Sequence, residues 1–481
     1  MRAEAVVALG FALALLAACD GAGNKPARDL GVDSGSYPLV PFAPRLLFED
    51  PSVRCEVPPP PAMRPATTPR PTRGAVRWVF NPSRDPATLA ALAGEGRSGL
   101  GLTGEALTGM ASGGFVTTTD LGRYYLGVNG DGEFALFGGA GASRYGATWL
   151  MPSTYINRPH QDVRLDLYDA VDRSLTRTAA LTSLPGGYPG TSEGDIEFVG
   201  PAVLPDGTIA WLPTTRTLAA SCPDGRLRWV MEFYNPAAVT IPAIFAAGDG
   251  NIILARGFVG IHRIDPGGRV LASRPLAGID GGAMGFSDRC GVALLTPNPA
   301  APTSLVLKYF SGTDFSTERE LPPEAIPTND CGWWSSTPPP STVWSRYRPD
   351  GTLAFVNPGR SPSLTKFELA DGSWLMVDRG GSRETPPGMS IVSDDGTLVF
   401  DTAFDTRVVG EDFKLGAYLL TPDGVLYVTA TSGFEAVQQF VAIEVGVGEG
   451  STWARWSGAA LRGDGGNWTR DNATWHPTPA L

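Results

Sequence analysis

Short apolar runs recur along most of the chain, and tight-turn dipeptides such as Asp-Gly and Gly-Gly separate them. The stretch 203–230 shows the pattern twice, with Pro-Asp-Gly beginning at Pro205 and again at Pro223. Glycine adopts positive φ without steric cost, so Asp-Gly between β-rich runs is a strong hairpin signal. The pattern therefore predicts a long series of short antiparallel strands.

The strand–turn–strand unit repeats along the chain. The first-turn glycines of the clearest copies are Gly207, Gly250, Gly291, Gly351 and Gly424. A period of about 40–50 residues with four strands per unit is typical of a β-propeller, in which stacked sheets bury each other's faces. The sequence thus predicts an all-β β-propeller of about seven blades of four-stranded antiparallel sheets, with six and eight as alternatives. "GAVRWVF" at 74–80 is a candidate closing strand, whereas residues 85–197 match the repeat poorly.

Composition supports many strands and restricts the partners. The 60 glycines and 43 prolines suit short strands joined by turns and disfavour long helices. A net charge of −11 disfavours nucleic acid as a partner, because phosphate binding requires clustered cations. The sequence contains no Cys-x-x-Cys motif, so a zinc site is not expected. No metal site and no cofactor are assigned.

The N-terminal residues 1–18 have the features of a secretory signal peptide. Arg2 precedes an apolar stretch that is too short for a bilayer-spanning helix of about 20 residues. The segment Leu16-Ala17-Ala18-Cys19 resembles the lipobox of bacterial lipoproteins. That resemblance implies that Cys19 carries the lipid, and that the protein is anchored to a membrane of the cell envelope on the extracytoplasmic side, in the periplasm or at the cell surface. An ordinary secretory signal is the alternative.

Residues 19–73 are predicted to be a disordered, Pro-rich tether that precedes a β-propeller domain at 74–481. The densest part, "PPPPAMRPATTPRPTR" at 58–73, lacks any apolar period. Such segments favour the extended polyproline conformation and act as semi-rigid spacers. The cysteine at position 55 indicates that part of this arm docks on the domain.

Four cysteines follow Cys19 in the sequence. They are Cys55, Cys222, Cys290 and Cys331. An even number in an exported chain suggests two disulfides, although spacing alone leaves three pairings open. We favour Cys55 with Cys222 and Cys290 with Cys331.

The repeat itself resembles that of the PQQ-like (pyrroloquinoline-quinone-type) β-propellers over roughly residues 198–457. The segment from Gly225 to Trp229, "GRLRW", matches best, whereas "GGRVLASRPL" lacks the terminal tryptophan. The resemblance implies the propeller fold. Quinone-dependent dehydrogenases of this family characteristically carry adjacent cysteines, which this chain lacks, so no quinone is expected.

Motifs that suggest catalysis are explained better as structure, and no catalytic residue is assigned. Gly190–Gly194 matches G-x-S-x-G, but a strand-like run follows it where a nucleophile elbow needs a helix. The turn at 129–133, "NGDGE", lacks the spaced ligands of a calcium loop and is expected to be a hairpin turn. Glu193, Asp195 and Glu197 form an acidic loop, and His262 is expected to be packed or solvated.

The segment "CGWWSS" is the most unusual local feature, and it precedes a further aromatic stretch. Trp333, Trp334 and Trp344 are candidate ligand-binding residues, because exposed aromatic rings stack on sugars or receive a partner peptide. Rings that only cover a blade end are the alternative.

The sequence favours a non-enzymatic scaffold in the cell envelope that binds an envelope protein or a glycan. A carbohydrate-active lyase or hydrolase and a glycan-binding surface adhesin are the alternative functions.

Overall fold

A computed structural model describes residues 44–56 and 72–81, most of 202–446, and the strand backbones between 107 and 180. The regular structure of these residues consists of β-strands. The first two strands are β1 (Arg45–Glu49) and β2 (Val76–Phe80). The strands that follow form eight sheets in chain order.

The first four sheets take their strands from residues 107–274, each from one continuous stretch of chain. Sheet 1 contains β3 (Leu107–Gly109), β4 (Gly114–Thr119), β5 (Tyr124–Asn129) and β6 (Phe134–Gly138). Sheet 2 contains β7 (Ser143–Tyr145), β8 (Thr148–Tyr155), β9 (Asp162–Asp169) and β10 (Leu175–Ala180). Sheet 3 contains β11 (Ala202–Val203), β12 (Ile209–Thr214), β13 (Thr217–Ser221) and β14 (Leu227–Glu232). Sheet 4 contains β15 (Ala243–Ala246), β16 (Ile252–Arg256), β17 (Gly260–Ile264) and β18 (Val270–Arg274).

The last four sheets continue the series to residue 444. Sheet 5 contains β19 (Ala283–Ser287), β20 (Gly291–Asn298), β21 (Ala301–Ser311) and β22 (Thr317–Leu321). Sheet 6 contains β23 (Ile326–Pro327), β24 (Trp333–Ser336), β25 (Trp344–Tyr347) and β26 (Leu353–Val356). Sheet 7 contains β27 (Lys366–Glu368), β28 (Trp374–Asp378), β29 (Gly388–Val392) and β30 (Leu398–Ala403). Sheet 8 contains β31 (Phe413–Leu420), β32 (Val425–Ser432) and β33 (Gln439–Glu444), together with β2.

The sheets form an all-β β-propeller, as the sequence predicts. Within each sheet the successive strands pair antiparallel. Neighbouring sheets touch through their first strands, since β3 lies against β31, and β11 lies against both β7 and β15. The first strand of each sheet therefore lies nearest the axis, and the fourth strand lies at the rim.

The N-terminal strand β2 completes sheet 8. It pairs antiparallel with β33, and the register places Val76 opposite Ile443 and Phe80 opposite Phe440. Because β2 precedes the other sheets in the chain, it joins the two ends of the domain, and the β3–β31 contact brings sheet 8 against sheet 1. The closing strand predicted at 74–80 is confirmed.

The described strands form eight sheets, where the sequence favoured about seven blades and kept eight as an alternative. The difference arises in the poorly matching segment 85–197, which supplies sheets 1 and 2. Sheet 1 has Asp-Gly only at the turn between β5 and β6, and sheet 2 has none, so strand pairing there does not depend on the repeated first-turn dipeptide. Residues 130–133 separate β5 from β6, which pair as a hairpin, in agreement with the expected turn.

The turn at Pro223-Asp224-Gly225 shows why the repeat carries Asp-Gly. Gly225 has φ of 83°, and its N–H donates to the Cys222 carbonyl at 2.9 Å. Asp224 accepts the backbone N–H of Arg226 at 3.0 Å. The glycine thus supplies the positive φ, and the aspartate stabilises the turn through its own side chain. The repeated dipeptide reflects hairpin geometry.

The same kind of contact joins sheet 3 to sheet 4 and sheet 6 to sheet 7 at the rim. In sheet 3 the Trp229 ring donates from Nε1 to the Pro266 carbonyl of sheet 4 at 2.8 Å. In sheet 6 Phe355 occupies the same third position of the fourth strand and lies under Gly396 of sheet 7. Apolar clusters run between neighbouring sheets, so most of the core lies between blades.

Both disulfides favoured from the sequence are present. Cys55–Cys222 has an S–S distance of 2.03 Å, and Cys290–Cys331 has one of 2.09 Å. Two disulfides in one chain are typical of proteins that fold in an oxidising compartment, which makes this an extracytoplasmic protein. The first bond lies within the predicted tether 19–73, whose residues 44–56 dock on sheet 3 and contribute β1.

Candidate binding surface

The tryptophans proposed from the sequence are core residues. Trp333 and Trp334 lie on β24 and Trp344 on β25, and all three are buried. The rings of Trp334 and Trp374 meet edge to face with centroids 5.4 Å apart, and Trp333 stacks on Tyr347 at 5.5 Å. Stacking on a sugar or a peptide requires exposed rings, so this segment forms no such surface. Its rings fill the space between sheet 6 and its neighbours.

A buried cation organises the same sheet. The Arg346 side chain on β25 is only 2% exposed and forms an ion pair with Asp330. It donates to the Trp333 carbonyl at 3.2 Å and lies 5.0 Å from the centre of the Trp374 ring. Asp330 also accepts the Gly332 N–H at 3.1 Å. A desolvated guanidinium with this many partners fixes the loop that leads into β24.

Arg319 on β22 connects sheet 5 to this cluster. It donates to the backbone carbonyls of Pro349 and Cys331 in sheet 6. Its guanidinium lies over the Trp333 ring at 5.5 Å and over the Tyr309 ring at 5.3 Å. Cys331 is itself bonded to Cys290 of sheet 5, so an arginine and a disulfide hold the two sheets together at one place.

The titratable groups in the core are arranged for packing. Tyr309 Oη donates to the Thr328 carbonyl at 3.0 Å, and burial raises the pKa of Tyr309, so the phenol stays protonated. Burial lowers the pKa of His262, which keeps the ring neutral. The His262 Nδ1 lies 2.9 Å from the Ser273 hydroxyl, and Nε2 lies 2.8 Å from the Val259 carbonyl. Neither group is placed for acid–base catalysis, since both are buried and hydrogen-bonded within the protein.

Exposed apolar side chains are concentrated on the fourth strands of sheets 6 and 7. Leu353 and Val356 on β26, with Leu398 and Val399 on β30, are between 42% and 57% exposed; we call these four residues the apolar rim. Each strand is the last in its sheet, and no strand of the described residues pairs with its outer edge. Natural sheet edges are normally protected by charges or prolines, and a long uncharged edge invites pairing with another chain.

The neighbouring edge shows the usual protection. The fourth strand of sheet 5, β22, reads Thr-Glu-Arg-Glu-Leu, and its Glu318 is paired with Lys308 and Arg274. In contrast, β26 reads Leu-Ala-Phe-Val. The edges of β26 and β30 adjoin, since a Cβ placed on Gly396, just before β30, would lie 2.6 Å from Phe355 Cβ. The apolar rim therefore spans two adjacent edges.

Sequence reasoning did not find the apolar rim. The sequence feature that could have indicated it is a fourth strand that begins with consecutive apolar residues, as in Leu-Val-Phe at the start of β30.

Some of the other predicted site residues have no described position. Cys19 and the carboxylates Glu193, Asp195 and Glu197 lie outside the described residues.

The described part of the chain contains neither a metal-binding cluster nor a membrane-spanning helix. There, no three histidine, cysteine or acidic side chains converge in a way that would hold a metal ion. None of these residues forms a helix of the length and apolar character that crossing a bilayer requires.

Comparison with solved structures returns proteins of weak similarity. BamB from Moraxella catarrhalis is 12% identical, with 72% of this chain and 98% of that chain covered and a TM-score of 0.41. A streptogramin B lyase is 10% identical, covering 72% and 94% at a TM-score of 0.37. The polysaccharide lyase Uly1 is 11% identical, covering 64% and 90% at 0.36. No protein-family model and no curated protein matches the sequence. No family membership follows from these values.

Proposed function

We propose that this protein is a non-enzymatic binding scaffold outside the cytoplasm, and that its apolar rim binds an extended segment of a partner protein. The observation that carries the proposal is the exposure of two apolar side chains on each of the neighbouring edge strands β26 and β30. An extended segment added to such an edge gains main-chain hydrogen bonds, and the exposed leucines and valines supply apolar contacts. The partner is therefore expected to present alternating apolar side chains.

The same chain supports this mode of binding. Its N-terminal arm places β1 beside β14, the fourth strand of sheet 3. A blade edge of this propeller thus accepts an additional antiparallel strand without change to the four strands inside it.

We further propose that the scaffold is anchored to an envelope membrane through lipid on Cys19. The support is the signal-like residues 1–18 and the lipobox resemblance that ends at Cys19. A Cys19→Ala variant is expected to lose both metabolic labelling with a fatty acid and membrane fractionation. Unchanged labelling in this variant would contradict the anchor and leave the binding proposal unaffected.

Site-specific photocrosslinking tests the apolar rim. A benzophenone amino acid at Val356 or Val399 is expected to form an adduct with an extended segment of an envelope protein, identified by mass spectrometry. The matched control places the probe at Leu271, which is 43% exposed on the fourth strand of sheet 4, a strand that ends in Arg274. The control position should give no adduct.

A substitution establishes whether the adduct depends on the edge. Leu353→Lys should reduce the Val356 adduct at least tenfold, because a charge on an edge strand opposes pairing. Leu271→Lys should leave the adduct unchanged. Equal crosslinking from all positions, or turnover of a defined glycan by a protein that yields no adduct, would refute the scaffold.

A further inference from the structure

The strand β1 is an addition that the fold does not require. Sheet 3 already has the four strands of the other sheets, and β1 lies outside them as a fifth. It pairs antiparallel with β14, with Arg45 opposite Glu232, Leu46 opposite Met231 and Phe48 opposite Val230. Removing β1 would leave a sheet of the same form as its neighbours.

Little of β1 is buried. Arg45, Leu46, Leu47 and Glu49 are exposed. The Arg45–Glu232 ion pair measures 3.0 Å, but the two side chains are 69% and 37% exposed, and an ion pair so accessible to water contributes little. Leu46 makes one apolar contact, against Gly268 beside the Trp229 ring.

The covalent attachment lies just beyond the strand. Cys55 is bonded to Cys222, whose backbone begins the turn between β13 and β14. This bond closes a separation of 167 residues, so it keeps the arm beside the edge at a high effective concentration. Without the bond, the segment must hold its place through the contacts of β1, Val53 and the adjoining loop.

We propose that the edge of β14 is a strand-binding site, occupied in this structure by residues 44–56 under the control of the Cys55–Cys222 disulfide. When a dithiol reductant reduces the bond, two electrons and two protons pass to Cys55 and Cys222, and the reductant becomes a disulfide. The freed edge then accepts an extended segment of another protein with a cation opposite Glu232 and apolar residues opposite Met231 and Val230. The register of β1 is the template for that segment, and the proposal is independent of the apolar rim.

Peptide binding to the full chain tests the proposal. The probe is a fluorescent peptide of residues 44–50, measured by anisotropy. Oxidised wild-type protein should not bind it, whereas the Cys55→Ser/Cys222→Ser variant should bind it saturably and at least tenfold more tightly. A peptide of the same composition in scrambled order is the control. Absence of binding to a folded variant, or equal binding of the scrambled peptide, would overturn the proposal.

A charge exchange tests the register. Glu232→Arg, added to the serine variant, should weaken binding of the peptide by about two- to threefold, as expected for an exposed ion pair, and the peptide with Arg45→Glu should restore it. Binding that ignores both charges would refute the proposed occupant.

Hydrogen exchange gives a second test that keeps the disulfide. Arg45→Glu in the oxidised chain should accelerate exchange of the amides in 45–49 several-fold without changing exchange in sheet 4. Glu232→Arg should restore the protection. Because both side chains are partly exposed, these variants are expected to fold. Exchange that is unaltered by Arg45→Glu would show that the strand is not a displaceable occupant.

Discussion

Replacing Gly291 with alanine is expected to lower the free energy of unfolding by more than about 4 kcal/mol, a loss found only for severe backbone or core disruption. Gly291 begins β20 with φ of +83°. A Cβ there would lie 1.9 Å from the Phe310 carbonyl oxygen and 2.8 Å from Ser311 Cα. Both obstacles are backbone atoms of the paired strand β21, so no side-chain rotation relieves the collision. Denaturant unfolding with the disulfides intact measures the effect.

Gly250→Ala is the matched control. Gly250 has the same φ of +83°, but nothing lies within 4 Å of the position its Cβ would take. Alanine there should cost only the left-handed backbone strain, about 1–2 kcal/mol. Equal losses for the two variants would mean that β21 shifts to accommodate the methyl group.

Arg346→Ala is expected to cost about 3 kcal/mol, the lower end for a broken buried pair, because Asp330 retains some contact with solvent. The variant leaves the aspartate without its cation and removes the donor to the Trp333 carbonyl. Adding Asp330→Asn should recover part of the loss. Thermal unfolding monitored by tryptophan fluorescence measures both variants, since Trp333 and Trp374 lie beside the guanidinium.

An exposed arginine provides the comparison for Arg346. Arg269 pairs with Asp265 at 3.2 Å, but its side chain is 78% exposed. Arg269→Ala should therefore change stability by no more than about 0.5 kcal/mol. If the two arginine variants lose the same stability, the buried cluster is not what holds sheet 6.

Local sequence patterns predicted the strands and turns where the turn chemistry is strong. The segment from Pro223 to Gly225 forms the expected hairpin because positive φ and the aspartate hydrogen bonds are set within a few residues. The strand at 74–80 was recognisable as a closing strand because it repeats the apolar pattern of a blade without a partner nearby in sequence. Residues 85–197 match the repeat poorly, so the sequence left the blade number open between six and eight.

The tryptophans show the limit of the sequence for the candidate site. Trp333 and Trp334 have the composition of a binding loop and also that of a blade filler. Whether the segment binds a ligand or fills the core depends on whether neighbouring sheets cover it. Trp374 of sheet 7 packs against Trp334, so the segment belongs to the core. The apolar rim is the converse case, because Leu353 and Val399 look like core residues in the sequence and are exposed at the rim.

The sequence by itself determined an extracytoplasmic propeller of short antiparallel strands, its closing strand and the favoured cysteine pairs. Tertiary structure alone decided the eight sheets, the burial of the tryptophans, the apolar rim and the fifth strand of sheet 3. The physical reason is the distance along the chain between the residues that determine each feature. A hairpin is specified by φ and by alternation over about ten residues, whereas exposure depends on which sheets stand on either side, and segments distant in the chain supply them.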